Sequence, residues 1–220
     1  MASALKVLIF ALLPNGAVVQ RQTGESVYLT FDDGPDPDYT PRLLDALAAS
    51  DAKATFFVQG QCVMRHPRVA RRIVEDGHAV ASHGWSHRRL PHWAFRRAWD
   101  EFAKAKEAIR EVVGVDTILY RPPYGWVTLP MLAYAATGRM KLILWSVDSD
   151  DDRTHSPAAV LAKGRHVQRG DIFLCHDDNG AILQALPSLL GEWRSRGLET
   201  RALGEDESVR QGFARRSRGD

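Results

Sequence analysis

The sequence predicts an α/β fold whose parallel sheet is closed, or nearly closed, into a barrel. Short apolar runs alternate with stretches of helical periodicity about seven times along the 220 residues, and such alternation is typical of repeated βα units. Polar residues directly follow five of the apolar runs. In barrels of βα units the chemistry lies at the carboxyl ends of the strands, so these polar residues are expected to share one mouth.

The predicted elements follow one another in regular order. The strands are short and apolar, at residues 27–31, 54–58, 78–82, 117–121, 141–147, 171–175 and 198–203. The helices have apolar residues at helical spacing, at residues 40–51, 66–77, 94–114, 128–138, 156–164 and 181–197. Thr40 and Pro41 are typical of a helix start and Gly114 of a helix end. Pro187 predicts that the last helix is either interrupted or begins there.

Composition limits the function classes. Hydrophobic residues make up 45% and charged residues 25% of the chain, as in ordinary globular domains. The formal net charge of +2 gives no reason to expect a nucleic-acid partner, and no run of 18 apolar residues predicts a transmembrane helix. The two cysteines, Cys62 and Cys175, are too few for a disulfide framework. Cys175 is expected to pack in the core rather than act as a nucleophile.

Residues 25–203 are predicted to form one catalytic domain, with an extension at residues 1–24 and a disordered basic tail at residues 204–220. In the extension, an apolar run, a Pro-Asn-Gly turn and a second apolar run favour a β-hairpin. A short signal segment is the alternative, but only Lys6 precedes the run and no clear cleavage site follows. A cytoplasmic location is therefore slightly favoured, although an exported protein is compatible with the segment.

An aspartate pair and a histidine pair suggest a metal site. Asp32 and Asp33 directly follow a strand, where a turn needs only one such residue and the second carboxylate needs water or a positive partner. His83 and His87 are four residues apart, a spacing that on a helical turn places both imidazoles on one face. Two surface histidines in a polar loop are the alternative. Together with the aspartates, the histidines favour a catalytic metal with open coordination positions.

Three further motifs place polar groups at strand ends. RPPYG, residues 121–125, is either a plain loop or a rigid turn that aims a backbone N–H at developing negative charge, with Arg121 fixing a carboxylate. The acidic segment 145–152 is either a solvated loop or a source of carboxylates that orient a histidine. His176, at the end of a predicted strand, is the candidate for that histidine, although a structural role is the alternative.

The motifs occur in the order found in the polysaccharide deacetylase family, the NodB-homology domain of carbohydrate esterase family 4. The chain resembles this family from about Val27 to Leu203, through the segments TFDDGPDPDYTPRLLDAL, KATFFVQG, SHGWSH, RPPYG, WSVDS and FLCHD. Each motif alone is common, but the ordered set is highly specific. The resemblance implies a distorted (β/α)7 barrel of the NodB-homology type, in agreement with the alternation of elements.

The resemblance also implies a metal and two proton-transfer groups. Asp33, His83 and His87 match the ligands of one divalent cation, most often Zn²⁺, with Co²⁺ or Ni²⁺ as alternatives. Asp32 matches the base that takes a proton from the attacking water, and His176 matches the acid that protonates the leaving amine.

The remaining matches concern orientation and substrate binding. Asp151 matches the carboxylate paired with the acid, and Arg121 matches the arginine that orients the base. The backbone N–H of Tyr124 matches an oxyanion donor. Leu174 matches an apolar wall near the acetyl methyl group. The expected substrate-binding residues are Pro123, Tyr124, Leu174 and Trp126.

Asp152 departs from the family pattern. In the family, Asp-Trp ends the fourth motif and the tryptophan helps to wall the acetyl pocket, whereas here Asp151 is followed by Asp152. Either Trp126 or Trp85 fills that place, or the pocket is more open and more polar.

The leading hypothesis is a metal-dependent hydrolase that removes N-acetyl groups from a chitooligosaccharide or a cell-wall glycan and releases acetate. N-deacylation of a biosynthetic small molecule and O-deacetylation are the alternatives. A non-catalytic glycan-binding domain is disfavoured because base, ligands and acid are all present. The oligomeric state is left open.

Overall fold

The computed structural model describes residues 16–204. Its strands are β1 (Val18–Val19), β2 (Tyr28–Asp32), β3 (Ala54–Val58), β4 (Ala79–Ser82), β5 (Leu119–Tyr120), β6 (Lys141–Ile143), β7 (Val147–Asp148) and β8 (Ile172–His176). They form a single parallel sheet in the order β1-β6-β5-β4-β3-β2-β8-β7. The helices of the described part are α1 (Tyr39–Ala49), α2 (Gly60–Arg65), α3 (Pro67–Glu75), α4 (Phe95–Val113), α5 (Leu129–Ala136), α6 (Asp151–Thr154), α7 (Pro157–Gly164) and α8 (Gly180–Ser195).

The sheet curls until its two edges nearly meet. Strand β6 lies next to the edge strand β1, and β7 forms the opposite edge of the sheet. Only residues 144–146 separate β6 from β7 in the chain. Four chain steps span at most about 14 Å, so the two edges lie close together. The predicted barrel is therefore confirmed, and the strand predicted at residues 141–147 is in fact two short strands on either side of the seam.

Successive residues of each strand face opposite sides of this curved sheet, as the pleat requires. One set packs together inside the barrel and includes Tyr28, Phe57, Ala81, Leu119 and Ile172. Their strand neighbours pack outward against the helices, among them Leu29, Phe31, Phe56, Phe173 and Cys175. Cys175 is fully buried in this outer core, which confirms its predicted packing role.

Several predicted boundaries differ from the structure. The last predicted strand, at residues 198–203, contributes only a bridge between Thr200 and Val27, and the short helix α2 was not predicted. Helix α8 continues through Pro187 without a break, because Leu186 and Leu189 on either side are fully buried against the outer core.

The start of α1 also differs from the prediction. Thr40 is not its N-cap, because the helix begins at Tyr39 and Asp36 Oδ1 accepts hydrogen bonds from the N–H groups of Asp38 and Tyr39. The Thr40 hydroxyl instead donates to Asp177 Oδ2 at 2.6 Å.

The two ends of the chain are described only in part. Val18 and Val19 lie within the predicted extension but belong to the barrel, since they pair with Leu142 and Ile143 of β6. The first arm of the predicted hairpin lies outside the described residues, as does almost all of the predicted tail. Among the helices of residues 16–204, none has the length and apolar character needed to cross a bilayer.

Candidate metal and catalytic site

The polar residues predicted at strand ends converge at one mouth of the barrel. Asp32 ends β2 and is the direct parallel neighbour of His176, which ends β8. His83 and Arg121 immediately follow β4 and β5, and both continue the inward-facing register of their strands. The carboxyl ends of parallel strands share one edge, so four separate segments of the sequence meet here.

Asp33, His83 and His87 form a cluster that we call the candidate metal triad. Asp33 Oδ1 lies 3.1 Å from His87 Nε2 and 3.5 Å from His83 Nε2. One ligand atom from each residue lies within 4.8 Å of the other two. The helical turn predicted for the histidines is wrong: Gly84 and His87 have φ angles of 84° and 54°, and an irregular loop brings the two rings together.

A change of backbone direction after Asp32 brings the side chains of both aspartates to the mouth. In a continuing strand Asp33 would point away from Asp32, but the strand ends at Asp32 and Asp33 has a φ of 82°. This left-handed conformation is uncommon for a residue other than glycine. It lets both carboxylates lie at the mouth, where each has its own cationic or imidazole partner.

The donor chemistry of the triad fits a divalent cation. His83 Nδ1 lies 2.7 Å from the Arg121 carbonyl oxygen, so Nδ1 carries the proton and Nε2 offers a lone pair toward Asp33. Burial lowers the pKa of His87, and although Asp33 opposes this change, His83 lowers the pKa further. A neutral imidazole is the form that binds metals, and two nitrogens with one carboxylate leave room for water and substrate.

Asp32 is held by a buried arginine. Arg121 is fully buried, and its Nη1 donates to Asp32 Oδ1 at 2.7 Å and to Thr30 Oγ1 at 2.9 Å. Its Nε and Nη2 donate to the carbonyl oxygens of Ile143 and Leu144, at the end of the neighbouring strand β6. A buried carboxylate that pairs with such a guanidinium is fixed in position, and its other oxygen, Oδ2, lies 3.7 Å from His83 Nε2.

His176 and Asp151 form a pair next to Asp32 at the mouth, in which Asp151 is fully buried and His176 is partly exposed. His176 Nδ1 lies 2.8 Å from Asp151 Oδ1, and the His176 backbone N–H donates to Asp151 Oδ2 at 2.9 Å. Burial disfavours the charged ring, but the hydrogen bond and charge of Asp151, with Asp32 and Asp33, raise the pKa of His176 to about 10. The ring is therefore protonated at neutral pH and is suited to act as an acid.

The turn after β5 presents a backbone donor beside the triad. Pro123–Gly125 forms a single 3₁₀ turn in which Tyr124 has a φ of 59°, a strained conformation for a non-glycine residue. Within residues 16–204 the Tyr124 N–H donates to no carbonyl. The Tyr124 ring is 64% exposed and its centroid lies 4.6 Å from that of His87. Pro123 is buried beneath the turn.

The two tryptophans considered for the acetyl pocket both lie under basic side chains. The Arg89 guanidinium carbon is 3.9 Å from the centroid of Trp126, whose Nε1–H donates to the Leu90 carbonyl. The Lys104 ammonium nitrogen is 3.7 Å from the centroid of Trp85. These contacts fix the loop after the triad histidines, so a pocket role for either ring stays a prediction.

Trp145, which the sequence analysis did not assign, also lies against the turn at Pro123–Gly125. A Cβ added to Gly125 would lie 2.8 Å from the Trp145 ring, and the Arg121 guanidinium carbon is 5.8 Å from its centroid. The predicted wall residue Leu174 is buried in β8 and pairs with Thr30. The structure therefore places Trp145 against the turn after β5, and a wall role for Leu174 stays a prediction.

Asp152 makes one side of the mouth polar. Its side chain is exposed, and its carboxylate lies within 4.8 Å of ligand atoms of Asp151 and His176. Asp151 already accepts hydrogen bonds from Ser149, His176 and Asn179, so we do not assign a second metal to this group. The predicted alternative of a more open and polar pocket agrees with this arrangement.

Gln59 is a site residue that the sequence analysis missed. Its Nε2 donates to Asp33 Oδ1 at 3.0 Å, and its own Oε1 accepts from Gln61 Nε2 at 3.0 Å. Gln59 lies two residues after the inward-facing Phe57, so counting by two along β3 would have found it. An outer partner of this kind fixes the orientation of a metal-binding carboxylate.

Replacing Gln59 with leucine is therefore expected to weaken metal affinity by about 10- to 100-fold, the usual range for loss of an outer partner. Leucine retains the bulk but cannot hydrogen-bond to Asp33. Competition with a coloured chelator measures the affinity directly, without reference to activity. Gln61→Leu is the matched control, because it leaves the bond between Gln59 and Asp33 in place; equal affinity of Gln59→Leu and the wild type would contradict the role.

Comparisons with known proteins agree with this arrangement. The family model described as polysaccharide deacetylase matches residues 20–142. A peptidoglycan-N-acetylglucosamine deacetylase of Listeria monocytogenes is 33% identical over 183 residues, which cover 83% of this chain and 39% of that protein. A chitooligosaccharide deacetylase of Sinorhizobium fredii is 39% identical over 154 residues, covering 69% of this chain and 72% of that protein.

A solved structure extends the agreement to the fold. A family 4 carbohydrate esterase pseudoenzyme of Bacillus anthracis superimposes with a TM-score of 0.81 at 25% identity, covering 87% of this chain and 69% of that one. This chain spans well under half of the Listeria relative, so the relatives' activities are not transferred by similarity alone. The family model covers more than half of the chain, and the chain therefore belongs to the polysaccharide deacetylase family.

Proposed function

We propose that the chain is a metal-dependent hydrolase that removes acetyl groups from the nitrogen of N-acetylated sugars in a glycan. The observation that carries the proposal is the meeting of three groups at one mouth: a triad of metal-binding donors, a carboxylate held by Arg121 and a protonated histidine held by Asp151. Amide hydrolysis needs both a base and an acid, and Asp32 and His176, which are register partners on β2 and β8, supply one each.

Asp33, His83 and His87 would hold the cation. When bound, it supplies Lewis acidity that polarises the acetamide carbonyl and makes the attacking water more acidic. We propose Zn²⁺, because imidazole and carboxylate ligands suit it, and Co²⁺ or Ni²⁺ also suit this donor set.

The side chains around the triad divide the remaining work. Asp32 accepts a proton from the water while the water oxygen bonds to the acetyl carbon. Arg121 keeps the Asp32 carboxylate oriented. The Tyr124 N–H faces the negative charge that develops on the carbonyl oxygen. His176 then donates its proton to the nitrogen as the C–N bond breaks, and the products are acetate and an amine.

The likeness to a pseudoenzyme makes catalysis itself the first question. The Listeria and Sinorhizobium relatives are deacetylases, one of peptidoglycan N-acetylglucosamine and one of chitooligosaccharides. Acetate release from N-acetylglucosamine oligomers and from peptidoglycan fragments, with the protein loaded with Zn²⁺, tests the proposal. A protein that binds the metal and the glycan but releases no acetate from any of them would be a binding domain instead.

Removal of one triad histidine tests whether the triad binds the metal. His83→Ala is expected to weaken metal affinity by more than about 100-fold, beyond the loss typical of an outer partner, and to abolish acetate release. His166→Ala is the control, since His166 is an exposed histidine outside the triad. Metal content after dialysis decides the matter, and full occupancy in His83→Ala would refute the ligand assignment.

A further inference from the structure

A surface groove of about 500 Å³ borders the candidate site on the side of helix α4. It runs along the loop that carries and follows His87. Its lining includes Trp85, Arg88, Arg89 and Leu90 from that loop, and Arg97 and Lys104 from α4. We call it the basic groove. The mechanism proposed above uses none of these side chains.

Most of the positive charge in the basic groove has no acidic partner. Three exposed arginines of the groove form no ion pair and no side-chain hydrogen bond within residues 16–204. They are Arg88, Arg89 and Arg97. By contrast, Arg72 and Arg110 on other surfaces are paired with carboxylates. Three unpaired guanidinium groups within ten residues raise the local positive potential.

The two carboxylates of the groove do not neutralise this charge. Glu101 accepts hydrogen bonds from the backbone N–H groups of Trp85 and Ser86 and from the Ser86 hydroxyl, so it fixes the loop. Asp100 lines the groove, but its Oδ2 lies 3.8 Å from Nε of Arg96, a residue that does not line the groove. Arg88 and Arg97 therefore present free donors to whatever enters the groove.

The basic groove is connected to the catalytic mouth through two shared segments. Arg88 directly follows the triad residue His87 in the chain. Arg89 stacks on Trp126, two residues after Tyr124, whose ring contacts His87. The loop that carries His87 therefore contributes to both the mouth and the groove.

We propose that the basic groove binds an anionic group, a carboxylate or a phosphate, on a sugar next to the N-acetylated sugar. This inference rests on the proposed function, because it assigns an acidic rather than a neutral glycan to the same site. The planar fork of arginine matches the oxygen pairs of carboxylates and phosphates. The aromatic rings beneath Arg89 and Lys104 hold these cations at the groove while leaving their N–H groups available.

The test compares substrates that differ only in charge. The probes are a tetrasaccharide of alternating N-acetylglucosamine and N-acetylmuramic acid, the same compound with each carboxylate converted to a carboxamide, and N-acetylglucosamine tetramers with and without a 6-phosphate. The readout is the ratio of kcat/KM for each charged compound to that of its neutral counterpart. The wild type is expected to favour one charged compound by about tenfold at low salt, and this preference should fall as ionic strength rises.

Arg88→Gln and Arg97→Gln are expected to lower this ratio by about two- to fivefold each, the range for exposed ion pairs. Arg68→Gln removes an exposed charge on α3 and should leave the ratio as it is. The preferred compound tells whether carboxylate or phosphate is recognised. A ratio near one in the wild type would overturn the proposal, as would an unchanged ratio in the double variant, which carries both Arg88→Gln and Arg97→Gln.

Failure of the proposed function is distinguished by a binding measurement. If no compound is deacetylated, calorimetric titration of the carboxylate and carboxamide tetrasaccharides still compares their affinities for the wild type and the double variant. Tighter binding of the acid that depends on Arg88 and Arg97 would support the groove in a protein without turnover. Equal affinities would reject it.

Discussion

Replacing Asp32 with asparagine is expected to lower deacetylation by about 10²–10⁴-fold while the protein still binds its metal. Asparagine keeps the shape of the side chain and can accept the hydrogen bond that Arg121 donates at 2.7 Å. It cannot take a proton from water, and the loss of a positioned base typically costs this much. Acetate release and metal content, measured on the same sample, check both halves of the prediction.

Asp33→Asn is the matched comparison. The two carboxylates are neighbours in sequence, but only Asp33 lies within 3.5 Å of both triad nitrogens, whereas Asp32 Oδ2 is 3.7 Å from His83 Nε2. Asp33→Asn should therefore lose metal as well as activity. If Asp32→Asn were the variant that lost metal, the two roles would have to be exchanged.

Stability must be measured alongside activity, because Arg121 is fully buried. Removing the partner of a buried charge commonly costs about 3–5 kcal/mol. Asp32→Ala should show a loss of this order in the free energy of unfolding, and Asp32→Asn a smaller one, since it retains an acceptor for Arg121. A folded Asp32→Asn protein without activity separates chemistry from unfolding.

The sequence predicted the site better than it predicted the strands. Asp32, His83, Arg121 and His176 each directly end or follow an apolar run, and parallel strands bring such positions to one edge whatever their exact lengths. That inference needs only the order of elements. It does not need the neighbour of each strand, and so it tolerated errors at the boundaries.

The seam of the barrel could not be read from the sequence. Residues 141–147 form one apolar run, yet β6 pairs with β1 and β5 while β7 pairs with β8. A local pattern identifies an extended segment but not its partners, which depend on the curvature of the whole sheet. The unbroken helix at Pro187 has a related cause, since burial of Leu186 and Leu189 outweighs a local preference against proline.

Loop geometry was equally inaccessible. The spacing of His83 and His87 suggested a helical turn, but Gly84 and His87 both have positive φ angles, and the loop is fixed by hydrogen bonds to Glu101. Glu101 lies 14 residues after His87 and 18 after His83 in the chain, so local spacing gives no sign of this contact. The metal prediction therefore named three residues that the structure brings together, but by a loop geometry that differs from the helical turn it assumed.

His176→Ala is expected to reduce amide hydrolysis by about 10²–10⁴-fold, the usual worth of a general acid. An amine leaves only after protonation, whereas the phenolate of an aryl acetate leaves without it. The same variant should therefore lose much less activity on an aryl acetate than on an N-acetylated sugar. Equal losses on both substrates would show that His176 supports the structure of the site rather than donating a proton.

Asp151→Asn tests the same acid through its pH dependence. Burial lowers the pKa of His176, but Asp151 and the neighbouring carboxylates outweigh burial and raise it to about 10. An acid must be protonated to act, so kcat/KM falls as the pH rises through this pKa. Asp151→Asn removes the largest of the raising effects, and its alkaline limb should move to lower pH. A divalent cation at the triad lowers the pKa of His176 in both proteins, so the direction of the difference between them is preserved.

The same pair predicts a pH dependence of stability with a definite sign. The folded-state pKa of His176, about 10, lies above the ordinary value of about 6.5. The pair therefore stabilises the fold fully below about pH 6.5, and this contribution is lost as the pH rises toward 10. The free energy of unfolding of the wild type should fall across this window more steeply than that of Asp151→Asn, in which the asparagine cannot favour the charged ring as strongly. Parallel curves for the two proteins would mean that Asp151 does not hold the proton on His176, and the acid would then need another partner.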